Sequence, residues 1–186
     1  MPPSAPPRPT LAPARRRLPH AAVTVAAVIA GAGVCGCATF DQDPAAATTG
    51  VRVLKVVDGD TLNVLLAGKR ERVRLALVQA PEVTGTPRCG GPQATAALRR
   101  LITGHRLRLR RPSTQNRDRY GRLIREVLAD GRSVDEQLVR DGWATQFRVP
   151  AGGDGAAANR RIARAAADAR THQRGIWKLC GSFDRP

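Results

Sequence analysis

Apolar and polar residues alternate in three consecutive stretches of the chain, and this pattern predicts three β-strands. Residues 51–57 and 61–66 are rich in valine and leucine and flank a tight Asp-Gly-Asp turn. In residues 70–78, every second side chain from Val73 to Leu77 is apolar, while arginines occupy the opposite face. This is the pattern of a half-buried strand.

Helical periodicity replaces the alternation after the third strand. A first helix is expected to begin near Gly91, where the following proline suits a first helical turn, and to stop at Gly104. Residues 105–110 and 121–128 return to an extended pattern and are the predicted fourth and fifth strands.

Two more helices are predicted in the C-terminal part. Ser133 opens a capping box for a helix that stops at Gly142, and residues 156–171 form an alanine-rich helix. Three strands, a helix, two strands and then helices is the order of a five-stranded barrel with about three packed helices. The sequence therefore predicts an α+β fold class.

Residues 1–37 have the features of an export signal. An arginine triplet precedes an apolar run of about 14 residues from Ala21 to Val34, shorter than the roughly 20 that a membrane span needs. The run ends in a segment that resembles the lipobox of bacterial lipoproteins, with Cys37 as the lipidated residue. Cleavage without lipidation, for example after Ala38, is the alternative.

The rest of the chain divides by composition. Residues 38–50 lack apolar periodicity and are expected to form a flexible linker, followed by a domain over residues 51–180 and a tail over residues 181–186. We expect an exported protein, either a cell-envelope lipoprotein or a secreted protein, that contacts a membrane only through Cys37.

Removal of the signal leaves two cysteines, Cys89 and Cys180. In an oxidising compartment they are expected to form a disulfide that closes a loop of about 90 residues. Two buried thiols are the alternative. The chain has no CxxC pair and no cluster of His and Cys, and only His105 and His172 remain beside the two cysteines, so a zinc site has little support from the sequence.

The formal net charge of +16 favours a polyanionic partner such as nucleic acid or anionic lipid. Only three of the 31 basic residues are lysines, a bias that genomic base composition also produces, so charge alone leaves simple solvation open. Arg106, Arg108 and Arg110 alternate along the fourth strand, but a solvated strand face explains them equally well. We assign this stripe no role.

Acidic and basic residues are mixed at predicted strand ends, where functional sites tend to lie. Asp58 and Asp60 stand between the first two strands, Arg74 lies on the polar face of the third, and Glu82 follows its end. Cleavage of a phosphodiester needs such groups. Carboxylate oxygens hold a hard cation, a carboxylate activates water, and guanidinium groups stabilise negative charge at phosphorus.

Several blocks of the chain resemble the signature blocks of the staphylococcal nuclease (thermonuclease) family. The three main blocks are Val-Asp-Gly-Asp-Thr at 57–61, Val-Arg-Leu-Ala-Leu-Val-Gln-Ala-Pro-Glu at 73–82 and Asp-Arg-Tyr-Gly-Arg at 118–122, and shorter agreements follow at 91–94, 138–144 and 175–177. The resemblance implies an OB-fold barrel and a monomer without an obligate protein partner. It also implies calcium-dependent endonuclease action on DNA and RNA that leaves 3′-phosphate products.

The resemblance also assigns roles to individual residues. It implies that Arg74 binds the phosphate and stabilises the transition state, that Glu82 acts on the attacking water, and that Arg122 assists charge stabilisation and the leaving group. Arg119 and Tyr120 are the implied substrate-binding residues. A later tyrosine pair of the family is missing here, and Phe147 is a candidate substitute.

The implied calcium site departs from the family pattern. Asp60 and the backbone carbonyl of Ala80 match ligands of the family, with Asp58 close by, but Gln79 stands where the family has a second carboxylate. Gln79 keeps a carbonyl oxygen and lacks the negative charge. Because calcium affinity follows the charge and fit of the ligands, we expect weak binding of Ca²⁺.

Three functional hypotheses follow from the sequence. The leading one is an exported nuclease, supported by the presence of Arg74, Glu82 and Arg122 together. The alternative, which Gln79 favours, is a catalytically weak or inactive surface lipoprotein that binds nucleic acid or another polyanion. A purely structural envelope lipoprotein would leave the arginines and the glutamate without a purpose.

Overall fold

The computed structural model describes residues 48–183 of the 186-residue chain. The strands are β1 (Thr48–Val56), β2 (Thr61–Leu66), β3 (Lys69–Leu75), β4 (Val78–Gln79), β5 (Leu107–Arg110), β6 (Leu123–Ala129), β7 (Arg132–Ser133) and β8 (Thr145–Gln146). The helices are α1 (Gly91–Ile102), α2 (Val134–Arg140), α3 (Gly155–Thr171) and the short α4 (Ile176–Leu179). The first strand thus begins at Thr48, inside the segment that we expected to be linker.

Five strands close into a barrel. β1, β2 and β3 form an antiparallel meander, β1 also pairs with β5, and β5 pairs with β6. A parallel pairing of β3 with β6 closes the ring. With α1, α2 and α3 packed on it, the barrel confirms the predicted α+β class and OB-fold architecture.

The core lies inside the barrel and between the barrel and the helices. Leu62, Val73 and Val127 are fully buried in the barrel, and Leu98 of α1 and Ile162 of α3 are fully buried in the helices. In α1 the buried positions recur at helical spacing, which explains why this segment forms a helix on the barrel surface.

The third strand ends earlier than predicted. We expected it to continue to Val78, but β3 stops at Leu75, and the next residues leave the ladder. The backbone N–H of Ala76 donates to the carbonyl oxygen of Arg125 at 2.8 Å, and Val78 starts a separate strand, β4, that pairs with β8. Leu75 to Val78 are all buried, so the apolar alternation that suggested one long strand describes two short ones.

A buried carboxylate on α2 holds this turn. Asp135 is fully buried, and its two oxygens accept hydrogen bonds from the backbone N–H of Leu77 (3.1 Å) and of Val127 (3.0 Å). Burial, together with the nearby charge of Glu126, raises the pKa of Asp135 to about 7. The helix that carries it begins as predicted, because Ser133 Oγ accepts a hydrogen bond from the N–H of Glu136 at 3.2 Å.

A disulfide ties the segment before α1 to the end of α4. Cys89 and Cys180 are bonded, with 6.0 Å between their Cα atoms and a sequence separation of 91. The structure therefore contains the pairing predicted from the sequence.

The predicted export signal, with Cys37, and residues 38–47 of the predicted linker lie outside the described residues. Within residues 48–183 no helix has the length and apolar character required to cross a membrane.

We predict that Asp135→Ala lowers the free energy of unfolding by about 2–6 kcal/mol, because each buried N–H left unpaired costs about 1–3 kcal/mol. Urea denaturation followed by tryptophan fluorescence measures the change. Glu136→Ala, on the next residue of the same helix, is the control. Its carboxylate pairs with partly exposed arginines, so we expect a loss of about 0–1 kcal/mol. Equal losses in the two variants would contradict the role given to Asp135.

We also predict that Cys89→Ala combined with Cys180→Ala lowers stability by about 2–5 kcal/mol, because the unfolded chain regains the freedom of a long loop. Thermal unfolding of the double variant and of the oxidised and reduced parent protein measures the effect. Reduction of the parent should reproduce the loss. An unchanged midpoint in both cases would show that the disulfide does not contribute to stability.

Candidate active site

The residues singled out from the sequence converge on one cleft of about 630 Å³. It is formed where the turn between β1 and β2, the strands β3 and β4, the loop after β4 and the turn before β6 meet. Its lining comprises Asp58, Asp60, Arg72, Arg74, Leu75, Ala76, Gln79, Glu82, Thr84, Gln115, Asp118, Arg119, Tyr120, Arg122, Ile124 and Phe147.

The turn between β1 and β2 places Asp60 at the base of the cleft. Asp58 organises this turn, because its Oδ1 accepts the backbone N–H of Asp60 at 2.9 Å. The carboxylate of Asp60 accepts hydrogen bonds from Thr61 Oγ1 at 3.1 Å and from the N–H of Ala80 at 2.7 Å. Asp60 is thereby joined to the segment that follows β4.

Close packing around the turn buries Asp60. A Cβ atom at Gly59 would lie 2.6 Å from Cβ of Ala80 and 2.8 Å from Cβ of Ala94, so only glycine fits there. Burial raises the pKa of Asp60 to about 6, and the charge of Arg74 limits the rise. The carboxylate and the guanidinium are 3.3 Å apart at their nearest atoms.

Arg74 is held at the end of β3 by a set of hydrogen bonds. Its Nη1 donates to the carbonyl oxygens of Leu75 and Val78, each at 2.6 Å, and its Nη2 donates to Gln79 Oε1 at 2.7 Å. The guanidinium carbon also lies 5.6 Å from the centre of the Phe147 ring. With 12% of its side chain exposed, Arg74 is a positive charge fixed at the cleft wall.

Glu82 reaches the cleft from the loop between β4 and α1. Its side chain is exposed, whereas its backbone is fixed from two sides. The N–H of Arg88 donates to the carbonyl oxygen of Glu82 at 2.9 Å, and a Cβ atom at Gly91 would lie 2.6 Å from the same oxygen. The start of α1 therefore positions the loop that carries Glu82.

A compact turn before β6 presents Arg122 and Tyr120. Asp118 Oδ1 accepts the N–H groups of both residues at 3.0 Å, and its Oδ2 accepts Arg122 Nε at 2.6 Å. Burial alone would raise the pKa of Asp118, but these hydrogen bonds lower it below its usual value. The Tyr120 ring is 67% exposed and lies against the guanidinium groups of Arg119 (4.7 Å) and Arg122 (5.5 Å).

The structure thus brings the predicted catalytic residues Arg74, Glu82 and Arg122 to one cleft, with Arg119 and Tyr120 at the same wall. No role was predicted for Asp118. The signal that could have found it is that a turn aspartate commonly accepts a hydrogen bond from the backbone N–H two residues on, as Asp118 does from Tyr120. Phe147, proposed only as a substitute for a missing tyrosine, flanks Arg74.

The predicted calcium ligands lie together but are engaged within the protein. Gln79 Oε1 accepts a hydrogen bond from Arg74, and the carbonyl oxygen of Ala80 accepts one from Gln79 Nε2 at 3.2 Å. The carboxylate of Asp60 accepts one from the N–H of Ala80. Calcium takes six to eight oxygen ligands and is held more tightly by more negative charge. All three predicted ligand atoms are oxygens, but only Asp60 supplies a carboxylate. Residues 48–183 contain no group of three or more His, Cys, Asp or Glu side chains that could hold a metal.

Comparison with known proteins agrees with this geometry. The sequence profile of the family described as "Staphylococcal nuclease homologue" matches residues 72–179, more than half of the chain. The match includes Arg74, Glu82 and Arg122, whereas Asp58 and Asp60 precede it.

Several curated relatives are called endonucleases. Endonuclease YncB of Bacillus subtilis (strain 168) is 38% identical over 93 residues, which are 48% of this chain and 44% of the relative. The SPbeta prophage-derived endonuclease YokF of the same organism is 37% identical over 93 residues, or 48% of this chain and 31% of the relative. An uncharacterized endonuclease of Escherichia coli O157:H7 is 36% identical over 94 residues, which are 50% of this chain and 58% of the relative.

The chain spans only about half the length of the curated relatives that it matches. The family match covers a longer stretch, which runs from the middle of β3 to the end of α4. That region contains most of the cleft described above. The chain belongs to the staphylococcal nuclease homologue family.

Proposed function

We propose that this protein is a phosphodiesterase that cuts DNA and RNA internally and leaves 3′-phosphate products. The observation that carries the proposal is the presence of Arg74, Glu82 and Arg122 in one cleft, with two guanidinium groups and one carboxylate facing the same space. Membership of the family and the endonuclease names of the relatives support it.

The reaction uses the two kinds of group for different tasks. The carboxylate of Glu82 accepts a proton from a water molecule as its oxygen bonds to phosphorus, and the bond from phosphorus to the 5′-oxygen breaks. The departing 5′-oxygen takes up a proton, so the second product ends in a 5′-hydroxyl. Arg74 and Arg122 stabilise the additional negative charge on the phosphate oxygens.

The hydrogen bonds of Arg74 and Arg122 support this role. Arg74 is anchored to two carbonyl oxygens and Arg122 to the carboxylate of Asp118, so neither charge needs to be reorganised when the transition state forms. The exposed ring of Tyr120, which is next to both Arg119 and Arg122, offers a surface for substrate binding beside the reacting phosphate.

We further propose that calcium assists the reaction and is held weakly. Asp60, the amide oxygen of Gln79 and the carbonyl oxygen of Ala80 would hold it, and Asp58 would support Asp60. Bound there, the ion would screen the negative charge of the phosphate. Weak affinity is expected because Gln79 supplies no charge and its amide oxygen is already bonded to Arg74.

Export is also part of the proposal. Disulfides persist mainly in oxidising compartments, and the bond between Cys89 and Cys180 is consistent with folding outside the cytosol. Together with the predicted signal over residues 1–37, this supports a cell-envelope lipoprotein anchored at Cys37 or a secreted protein.

A second candidate function is nucleic-acid binding with little or no cleavage. The contact that favours it is the hydrogen bond from Arg74 to Gln79. This bond engages Arg74, a predicted catalytic residue, and also the amide oxygen of Gln79, a predicted calcium ligand. The two functions differ in one result: a binding protein retains nucleic acid without shortening it at millimolar calcium.

We predict that Arg74→Ala lowers the rate of cleavage of single-stranded DNA by about 10²–10³-fold, because it removes a charge that stabilises the transition state. Arg70→Ala, an exposed arginine on the same strand, is the control and should change the rate less than about 3-fold. Initial rates at saturating calcium measure the effect. An unchanged rate of cleavage in Arg74→Ala would contradict the mechanism. If the parent protein itself did not cleave DNA, the binding function would be favoured.

We also predict that Gln79→Asp tightens calcium binding by about tenfold or more, since it restores a negative charge beside Asp60. Calorimetric titration and the calcium concentration at half-maximal activity measure the change. Gln115→Asp adds the same charge elsewhere in the same cleft and should have a smaller effect. Equal effects of the two substitutions would show that Gln79 does not contact the metal.

A further inference from the structure

A second basic surface lies outside the catalytic cleft, on β5, β7, α2 and α3. We call it the arginine face, and it shares no lining residue with the cleft. Its members are Arg108, Arg110, Arg132, Arg140, Arg161 and Arg164.

Two glutamates hold one half of the arginine face in position. Glu126 is fully buried, and its Oε2 accepts hydrogen bonds from Arg110 Nε (3.0 Å) and Nη2 (2.6 Å), while its Oε1 is bonded to Arg161. Glu136 in turn pairs with Arg140 and with Arg161. Each guanidinium has five N–H groups, so these contacts orient the arginines without using all their donors.

The other half has no carboxylate of its own. Arg108, Arg132 and Arg164 are exposed, and none of them forms an ion pair with an acid of residues 48–183. The guanidinium of Arg108 lies over the turn before β7, with Nη2 3.9 Å from where a Cβ of Gly131 would be. Asp168, at the edge of the face, is paired with Arg174.

The charges of the arginine face are therefore unbalanced. The face has six arginines, and only the carboxylates of Glu126 and Glu136 neutralise them. Positive charges this close together repel one another unless an anion lies between them. The shape of the guanidinium group narrows the kind of anion, because its planar fork matches the oxygens of a phosphate in a bidentate way.

We propose that the arginine face binds the phosphate backbone of a nucleic-acid strand outside the catalytic cleft. No aromatic residue lines it and Leu128 is its one large apolar side chain, which suits contacts to phosphates rather than to bases. The proposal goes beyond cleavage itself, and only the choice of nucleic acid as the polyanion rests on the proposed function.

The test compares two double variants of the full chain that lose the same charge. Arg108→Gln with Arg132→Gln removes two unpaired arginines of the face, whereas Arg99→Gln with Arg100→Gln removes two exposed arginines at the end of α1. Fluorescence anisotropy in the presence of a chelator measures binding to single-stranded DNA of about 30 nucleotides and to a tetranucleotide. The chelator suppresses cleavage, so binding is measured on its own.

We expect the first variant to raise Kd for the long strand by about five- to tenfold. The slope of log affinity against log salt should fall in magnitude by about 1.4, or about 0.7 for each lost phosphate contact. Binding of the tetranucleotide, which has too few phosphates to make a full set of contacts with both surfaces, should stay within about twofold. Long-strand binding by the Arg99 and Arg100 variant should also stay within about twofold.

Three results would overturn the proposal. One is an unchanged Kd for the long strand, and another is an equal loss in both double variants, which would reflect net charge alone. The third is a loss of binding to vesicles that contain phosphatidylserine without a loss of DNA binding, which would assign the face to a lipid surface. All arms measure binding without turnover, so they do not depend on the nuclease function. Failure of that function would appear in the cleavage assay with calcium, as a parent protein that binds DNA and does not cut it.

Discussion

The carboxylate of Asp135 is the contact on which the arrangement of the cleft depends. It accepts one N–H from the turn after β3 and one from β6, and so joins α2 to both strands that close the barrel. The chain turns there and starts β4, and Gln79 of β4 lies within hydrogen-bonding distance of Arg74 of β3. A buried acid that pairs two backbone groups thus fixes the place of the proposed chemistry.

Arg74 connects the fold to the site. Its guanidinium bridges two carbonyl oxygens of the turn, the side chain of Gln79 and the carboxylate of Asp60. Such contacts immobilise a positive charge before substrate arrives, which is what stabilisation of a phosphate transition state requires. They also connect Arg74 to Asp60 and Gln79, the two side chains proposed as calcium ligands. Because Gln79 is uncharged, it gives Arg74 a neutral partner where a carboxylate would give it a charged one.

The basic character of the protein has two local forms. In the cleft, arginines are interspersed with Asp58, Asp60, Glu82 and Asp118, which balances charge and leaves individual groups to act on a single phosphate. On the arginine face, the carboxylates of Glu126 and Glu136 serve mainly to orient guanidinium groups, and the excess charge faces solvent. A long polyanion is the partner that both surfaces could share.

The sequence by itself determined the order of the five barrel strands and of the three longer helices, the pairing of Cys89 with Cys180 and the identity of the three cleft residues. These follow from local periodicity, from a short count of cysteines and from motifs that are contiguous in the chain. Tertiary structure decided the early end of β3 and the hydrogen bond between Arg74 and Gln79. It also decided that Arg108 lies on one surface with arginines of α2 and α3. The physical reason is that each of these depends on groups distant in sequence. The partner of Leu77 is 58 residues away, and the partners of Glu126 come from a strand and a helix on either side of it.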